Sequence, residues 1–434
     1  MTEPPPIFPD PAAAGREMRD WMAGLFPLCR SLTGPGVRET LRMISEQAPL
    51  EIREVPTGAP MLDWESPKEW TIRKAWIRGP DGRTVVDFRD SNLHVVGYSV
   101  PVNRKMTLAE LQPHLHSLPE HPDWIPYRTN YYGETWGFCL AHRVREALPD
   151  GLYEVRIDSD LAPGALVYGE RVLRGQTGDE VLISAHICHP SLANDNLSGI
   201  AVAVWAARWL TQSPRRHTYR FLFAPGTVGS IAWLAQHEEA VPRIRHGLVL
   251  ACLGDRGGFT YKRTRGGDGA VDRAAARVLN ACAPAARLLD FSPYGYDERQ
   301  FNAPGFQLSV GCLMRSMYGT FPEYHTSADN MDFVSADALG ESLAVVLRIC
   351  DALDREWRPV NQYPKGEPQL GRRGLYAWLG GRNDKSRSQM ALLWVLNLSD
   401  GQHSLPDMSE RSGLPLPMIR DAADALARHG LISP

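Results

Sequence analysis

Apolar residues recur at helical spacing at Met18, Trp21, Met22 and Leu25, and again at Val37, Leu41 and Ile44 after Gly34-Pro35-Gly36, which predicts two helices early in the chain. Over residues 56–132 the texture changes. Short β-rich runs such as Trp70-Thr71-Ile72 and residues 93–98 are broken by Gly79-Pro80-Asp81-Gly82 and many prolines, the pattern of a small inserted β-rich domain. Strand-like runs at residues 152–157, 180–187, 219–223, 247–253 and 306–310 then alternate with helix-like runs at 199–211, 230–237, 270–281 and 336–353. That alternation predicts an α/β fold, a mostly parallel central sheet covered by helices.

Residues 358–384 are rich in Gly, Pro and charge and read as a linker. Beyond them, helix-like runs at 389–398, 405–412 and 416–429, the last with Ile419, Ala422, Ala423 and Leu426 on one face, resemble a winged-helix or helix-turn-helix unit. The expected division is an α/β domain over 12–55 and 133–357, the insert over 56–132, the linker over 358–384 and the winged-helix-like unit over 385–434. A chain of 434 residues is in any case too long for one compact core.

Charge narrows the partners. A net charge of -3 gives no general pull toward nucleic acid or anionic membrane. In the tail, Lys385, Arg387, Arg411, Arg420 and Arg428 meet Asp400, Asp407, Glu410, Asp421 and Asp424, so nucleic acid is not the expected partner. No apolar run reaches the length of a membrane span, and the opening residues lack the basic and apolar parts of a secretory signal, so a cytoplasmic location is expected. The seven cysteines are scattered without a Cys-x-x-Cys pair, which disfavours thiolate-held zinc. Apolar loops in the insert would permit a homo-oligomer.

The chemistry concentrates where strand-like runs end. His186 follows residues 181–185, Asp195 precedes the next helix, Asp255 follows residues 248–253, and His325 stands in Pro322-Glu323-Tyr324-His325-Thr326. Strand carboxyl ends are the usual ligand crevice of open sheets. Imidazole and carboxylate ligands suit Zn²⁺, and one carboxylate can bridge two ions. Singly, such an Asp is most often a helix cap and such a His a hydrogen-bonded core residue.

The run His186-Ile187-Cys188-His189-Pro190 through Asn194-Asp195-Asn196-Leu197-Ser198-Gly199, with Asp297-Glu298-Arg299-Gln300-Phe301 and residues 322–330, resembles the bacterial aminopeptidase-like proteins related to zinc aminopeptidases. The resemblance covers nearly the whole chain. It implies an aminopeptidase-like core, a small peptide or amide-linked substrate and a place in biosynthesis. It also implies His186 and Asp255 as ligands of a first zinc, Asp195 as bridging carboxylate and His325 as ligand of a second. Where the wider family has an Asp two residues after the first His, this chain has Cys188, and His189 shares the candidacy for the ligand role.

The larger departure is Gly226, at the position where relatives carry the general-base glutamate. Glycine supplies neither a proton acceptor nor a metal oxygen from a side chain, and a positioned base contributes about 10²–10⁴-fold. Loss of that carboxylate predicts one well-held zinc and a weak or empty second position. Glu298, Asp297 and Glu323 are candidate replacement bases. Asp297, Arg299 and Tyr324 are candidate substrate contacts, with Glu298 able to receive an α-amino group and Arg299 a carboxylate. Alternatively Asp297 and Glu298 pair with Arg299 and Glu323 braces its loop. Tyr131, Tyr132 and Trp136 either line the cleft or pack the insert against the main domain. The competing function is a relative that keeps the pocket to bind a ligand or partner without hydrolysing it.

Overall fold

The computed structural model describes residues 9–375 and 385–433. The chain divides into two units, Met1–Cys350 and Asp351–Pro434. In the first, an eight-stranded sheet runs in the order Glu51–Pro56, Ala165–Leu173, Thr218–Ala224, Glu180–His186, Ile244–Leu250, Val310–Met314, Thr260–Lys262, Arg287–Leu289. Its central strands are parallel, while the two pairings at the Glu51–Pro56 edge and that of Thr260–Lys262 with Val310–Met314 are antiparallel.

Central position explains the sequence of Glu180–His186, buried at every residue. A strand covered on both faces reads as a continuous apolar run rather than an alternating one. The helix Gly199–Leu210 is buried almost all round for the same reason. Gly199 starts it because a Cβ there would fall 2.5 Å from the Leu250 carbonyl oxygen.

A second, four-stranded sheet has the order Thr84–Asp87, Glu69–Arg78, Leu152–Ala162, Val102–Thr107. Its strand Leu152–Ala162, whose first half was expected in the main sheet, pairs antiparallel with Glu69–Arg78 and Val102–Thr107 instead. Its apolar positions alternate inward, which marks a strand covered on one face. The strand expected at residues 306–310 forms at Val310–Met314, because Phe306 and Gln307 close a turn on the Ala303 carbonyl.

The second unit packs Lys385–Leu398, Leu405–Ser412 and Leu416–Arg428 around Leu392, Val395, Met408, Ile419 and Leu426. Val360–Asn361 pairs with Ile432–Ser433 beside them. Residues 376–384 of the expected linker lie outside the described residues. No helix among the described residues is long and apolar enough to cross a membrane.

Candidate metal centre and cleft

Four side chains from two segments, residues 186–195 and His325, converge at the end of Glu180–His186. Asp195 Oδ1 lies 3.0 Å from His186 Nε2, and its Oδ2 lies 3.2 Å from His189 Nδ1 and 3.0 Å from His325 Nε2. His186, His189 and Asp195 are buried, and their ligand atoms all lie within 4.8 Å of one another. His325 is about one-third exposed on its side chain, so the cluster has one open side.

Asp195 is aimed by the irregular backbone between strand and helix, where Asp195 and Asn196 leave helical geometry. Asp329 pins that segment by accepting from the backbone N–H of Asn194 at 2.6 Å and of Asp195 at 2.9 Å. Asn194 accepts from the N–H of Gly254 and Asp255, and Asn196 from that of Cys252 while donating to the Leu250 carbonyl. Buried Arg30 holds the other end, donating to the carbonyls of His189 and Pro190 at 2.6 and 2.7 Å.

His325 is held differently. Its backbone is left-handed, φ 56°, a conformation that costs a non-glycine residue about 1–3 kcal/mol and persists only where neighbours enforce it. Those neighbours belong to residues 125–127. Tyr127 N–H donates to the His325 carbonyl at 2.8 Å, Ile125 N–H donates to Ser327 Oγ at 2.9 Å, and Pro126 bridges to Thr326. The Tyr127 ring stands edge-on to His189 and His325 at 5.2 and 5.1 Å between centroids.

The protonation pattern suits a cation. Burial alone would neutralise Asp195, but His189, His186 and His325 outweigh it and hold the carboxyl well below the usual range. Burial pulls His186 down to about 4 and lowers His325, leaving neutral imidazoles. Burial opposes a charge on His189 too, yet the Asp195 carboxylate raises it. A proton on His189 balances Asp195, and a cation can take that proton's place, since metal ligands must be deprotonated. Three imidazoles and one carboxylate are a donor set that fits zinc.

Asp255 stands apart from this group. Gly257 N–H, Asn194 Nδ2, Ser316 N–H and Ser316 Oγ donate to its two oxygens at 2.6, 2.9, 3.2 and 2.7 Å. Four bonds fill the roughly four lone-pair sites of a carboxylate. In this arrangement Asp255 braces Asn194 and has no free lone pair for a metal.

The site beside Gly226 is closed by Tyr296. Its ring stacks on His186 at 4.0 Å between centroids, and its hydroxyl shares a 2.9 Å hydrogen bond with His189 Nε2. A Cβ at residue 226 would fall 2.9 Å from His186 Cβ and 3.1 and 3.2 Å from ring carbons of Tyr296. A glutamate therefore enters only if Tyr296 or His186 moves. Cys188 is buried and its thiol is pushed up to about 12 by burial, which makes it inert.

The other candidates separate. Glu298 is fully buried and accepts from Lys262 Nζ at 2.8 Å, from Tyr318 Oη and from Tyr296 N–H, so it forms an internal ion pair and does not pair with Arg299. Asp297 accepts from Ser230 Oγ at 3.0 Å, while its Oδ2 has no hydrogen-bond partner among the described residues, and burial pushes its pKa up to about 7. The Glu323 carbonyl caps the turn to Thr326, and Tyr324 stacks on His325 at 3.9 Å.

Above the cluster opens a cleft of about 690 Å³ lined by Trp64, Tyr127, Arg128, Tyr131, Tyr132, Tyr296 and Arg299 together with His189, Gly226 and His325. Tyr131 and Tyr132 thus line the cleft, whereas Trp136 stacks on His114 away from it. Sequence reasoning gave no role to Tyr296, Tyr127, Asp329, Asn194 or Arg30. Asn194 and Asp329 lay inside quoted motifs, and their buried polarity was the available signal.

Residues 19–356 match the family described as a domain of unknown function, DUF4910, and residues 357–434 match a winged helix-turn-helix family. A Clostridium acetobutylicum protein, provisionally named a polysaccharide biosynthesis protein with aminopeptidase-like domain, is 47% identical over 418 residues, 96% of each chain. A crystal structure from the same organism, described as that of a presumed peptidase, superposes with TM-score 0.85 at 45% identity, covering 98% of this chain and 97% of that one. A zinc aminopeptidase from Bacillus subtilis shares the fold, with TM-score 0.59 at 14% identity over 83% of this chain and 98% of its own.

Proposed function

From the premise that this chain belongs to the DUF4910 family, as an aminopeptidase-like α/β domain followed by a winged helix, we propose a zinc-dependent amide hydrolase of aminopeptidase type acting on a small amide-linked metabolite. The observation that carries this reading is the convergence of His186, His189, His325 and Asp195 beneath a 690 Å³ cleft. These four would hold one zinc, with Asp255 as the brace behind Asn194. Bound there, zinc supplies Lewis acidity toward an amide carbonyl.

The chain's own residues do the rest. Tyr296 orients His189 through Nε2 and covers one face of His186, and Tyr127 keeps His325 turned inward. The partner is a small peptide or amide, acted on in the cytoplasm, and the name of the Clostridium relative supports the biosynthetic setting. Dialysis against a chelator should abolish amide hydrolysis, and one equivalent of zinc should restore it. Hydrolysis that survives chelation undiminished removes the metal reading.

A second reading has its own support. Gly226 offers no base, Glu298 is locked to Lys262, and neither Asp297 nor Glu323 lines the cleft. A pocket so built binds an amide without cutting it. Zinc-dependent ligand binding with no turnover would favour this version.

A further inference from the structure

Aminopeptidase chemistry needs an acceptor for the free α-ammonium of its substrate, and a carboxylate is the group that meets such a cation with strong charge-assisted hydrogen bonds. Among the described residues lining the cleft, no aspartate or glutamate is present. Asp195 is completely buried beneath and is engaged with three imidazoles. Glu298, the residue whose position promised amine recognition, is sealed inside with Lys262. Glu120 belongs to a neighbouring hollow that shares Tyr127, Arg128 and His325.

The cleft wall carries cations instead. Arg128 and Arg299 both line it, both are exposed, and neither forms an ion pair with an acid among the described residues. Arg299 acts on Asp297 only through space, and that buried acid is hydrogen-bonded to Ser230 instead. Two unpaired guanidinium groups repel an ammonium and present planar donor forks that match a carboxylate. At the rim, Trp64 and Tyr132 stand edge to face at 5.6 Å, 44% and 54% exposed, and offer apolar ring faces to an uncharged substituent.

We infer that the cleft recognises an anionic amide, one that bears a carboxylate and an acylated rather than a free amino nitrogen. Arg128 and Arg299 take the carboxylate, and Trp64 and Tyr132 take the acyl substituent. This rests on the reading that the cleft delivers an amide to the cluster below it, but the charge preference is measurable without turnover.

The test uses the full chain loaded with zinc and three probes in calorimetric titrations: N-acetyl-L-leucine, N-acetyl-L-leucinamide and L-leucinamide. N-acetyl-L-leucine should bind about tenfold or more tighter than L-leucinamide, the scale of a hydrogen bond to a charged group. The double variant Arg128→Gln/Arg299→Gln should lose that preference at unchanged melting temperature. Tighter binding of L-leucinamide, no measurable binding of N-acetyl-L-leucine, or an anion preference that survives in the double variant would each overturn the inference. Zinc-dependent cleavage of aminoacyl amides combined with preference for L-leucinamide would leave the hydrolase reading standing and this one refuted. Anion preference in a protein that takes up no zinc would do the reverse.

Discussion

Two regions of the same sheet bury charge in opposite ways. On Thr218–Ala224, Arg220 donates to Glu180 at 2.7 Å and to Glu170 at 2.5 Å, Arg243 adds a bond to Glu180, and His237 lies 3.3 Å from Glu170. There every buried carboxylate has a permanent cation supplied by the chain. At the strand ends, Asp195 has only imidazoles, two of them pulled toward neutrality. The first arrangement is finished as it stands, whereas the second is balanced by a removable proton. That contrast distinguishes a structural charge cluster from one poised for a cation, at similar depth of burial.

The sharpest way to break the comparison is Asp195→Asn. Zinc content, measured by metal analysis after dialysis, should fall from one equivalent to none, while circular dichroism stays native. Two tightly held equivalents in the parent protein would contradict the single-ion reading. Arg220→Met should do the opposite, costing about 3 kcal/mol in denaturant unfolding because it removes the guanidinium shared by two buried acids and leaves Glu180 with Arg243 alone and Glu170 with His237 alone, with zinc uptake intact.

Tyr296→Phe keeps the ring over His186 and removes the bond to His189 Nε2. Outer partners of this kind are worth about 10–100-fold in metal affinity, so competition with a chromogenic chelator should show a loss of that order. The acid limb gives a milder contrast. Burial raises the Glu170 pKa, but His237 and Arg220 outweigh it and bring it down to about 2 from an ordinary 4.5. A depressed folded pKa gives stability that is fully present above the unfolded value, so the Glu170 contribution should decline as pH falls from about 4.5 toward 2. Stability titrated in urea across that range should slope less in Glu170→Gln. The smallest expected effect is that of Asp255→Asn on metal: stability drops as its hydrogen bonds are lost, and zinc stoichiometry stays at one.

The local part of the site was readable in the chain. His186 to Gly199 is one continuous segment, and an apolar strand before it and an apolar helix after it place its polar residues at a strand end. The expected α/β architecture and the C-terminal winged helix are those found. Contacts across long separations were not readable. Lys262 and Glu298 lie 36 residues apart, so the sequence offered Arg299, the adjacent cation, as the more natural partner. Nothing in the residues around Asp255 announces that Ser316 will occupy it. Residues 152–157 declare a strand by their alternation, but alternation does not name the neighbour a strand will choose.

The left-handed seat of His325 ties the cluster to a loop that belongs to neither large sheet. Its carbonyl and the residues after it are fastened by Ile125, Pro126 and Tyr127, which come from the excursion over residues 56–132 rather than from the eight-stranded sheet. Trimming that excursion to obtain a minimal domain would therefore remove more than a cover over the cleft: it would unfasten one of the four donors, and the shortened protein would bind zinc as a three-donor site.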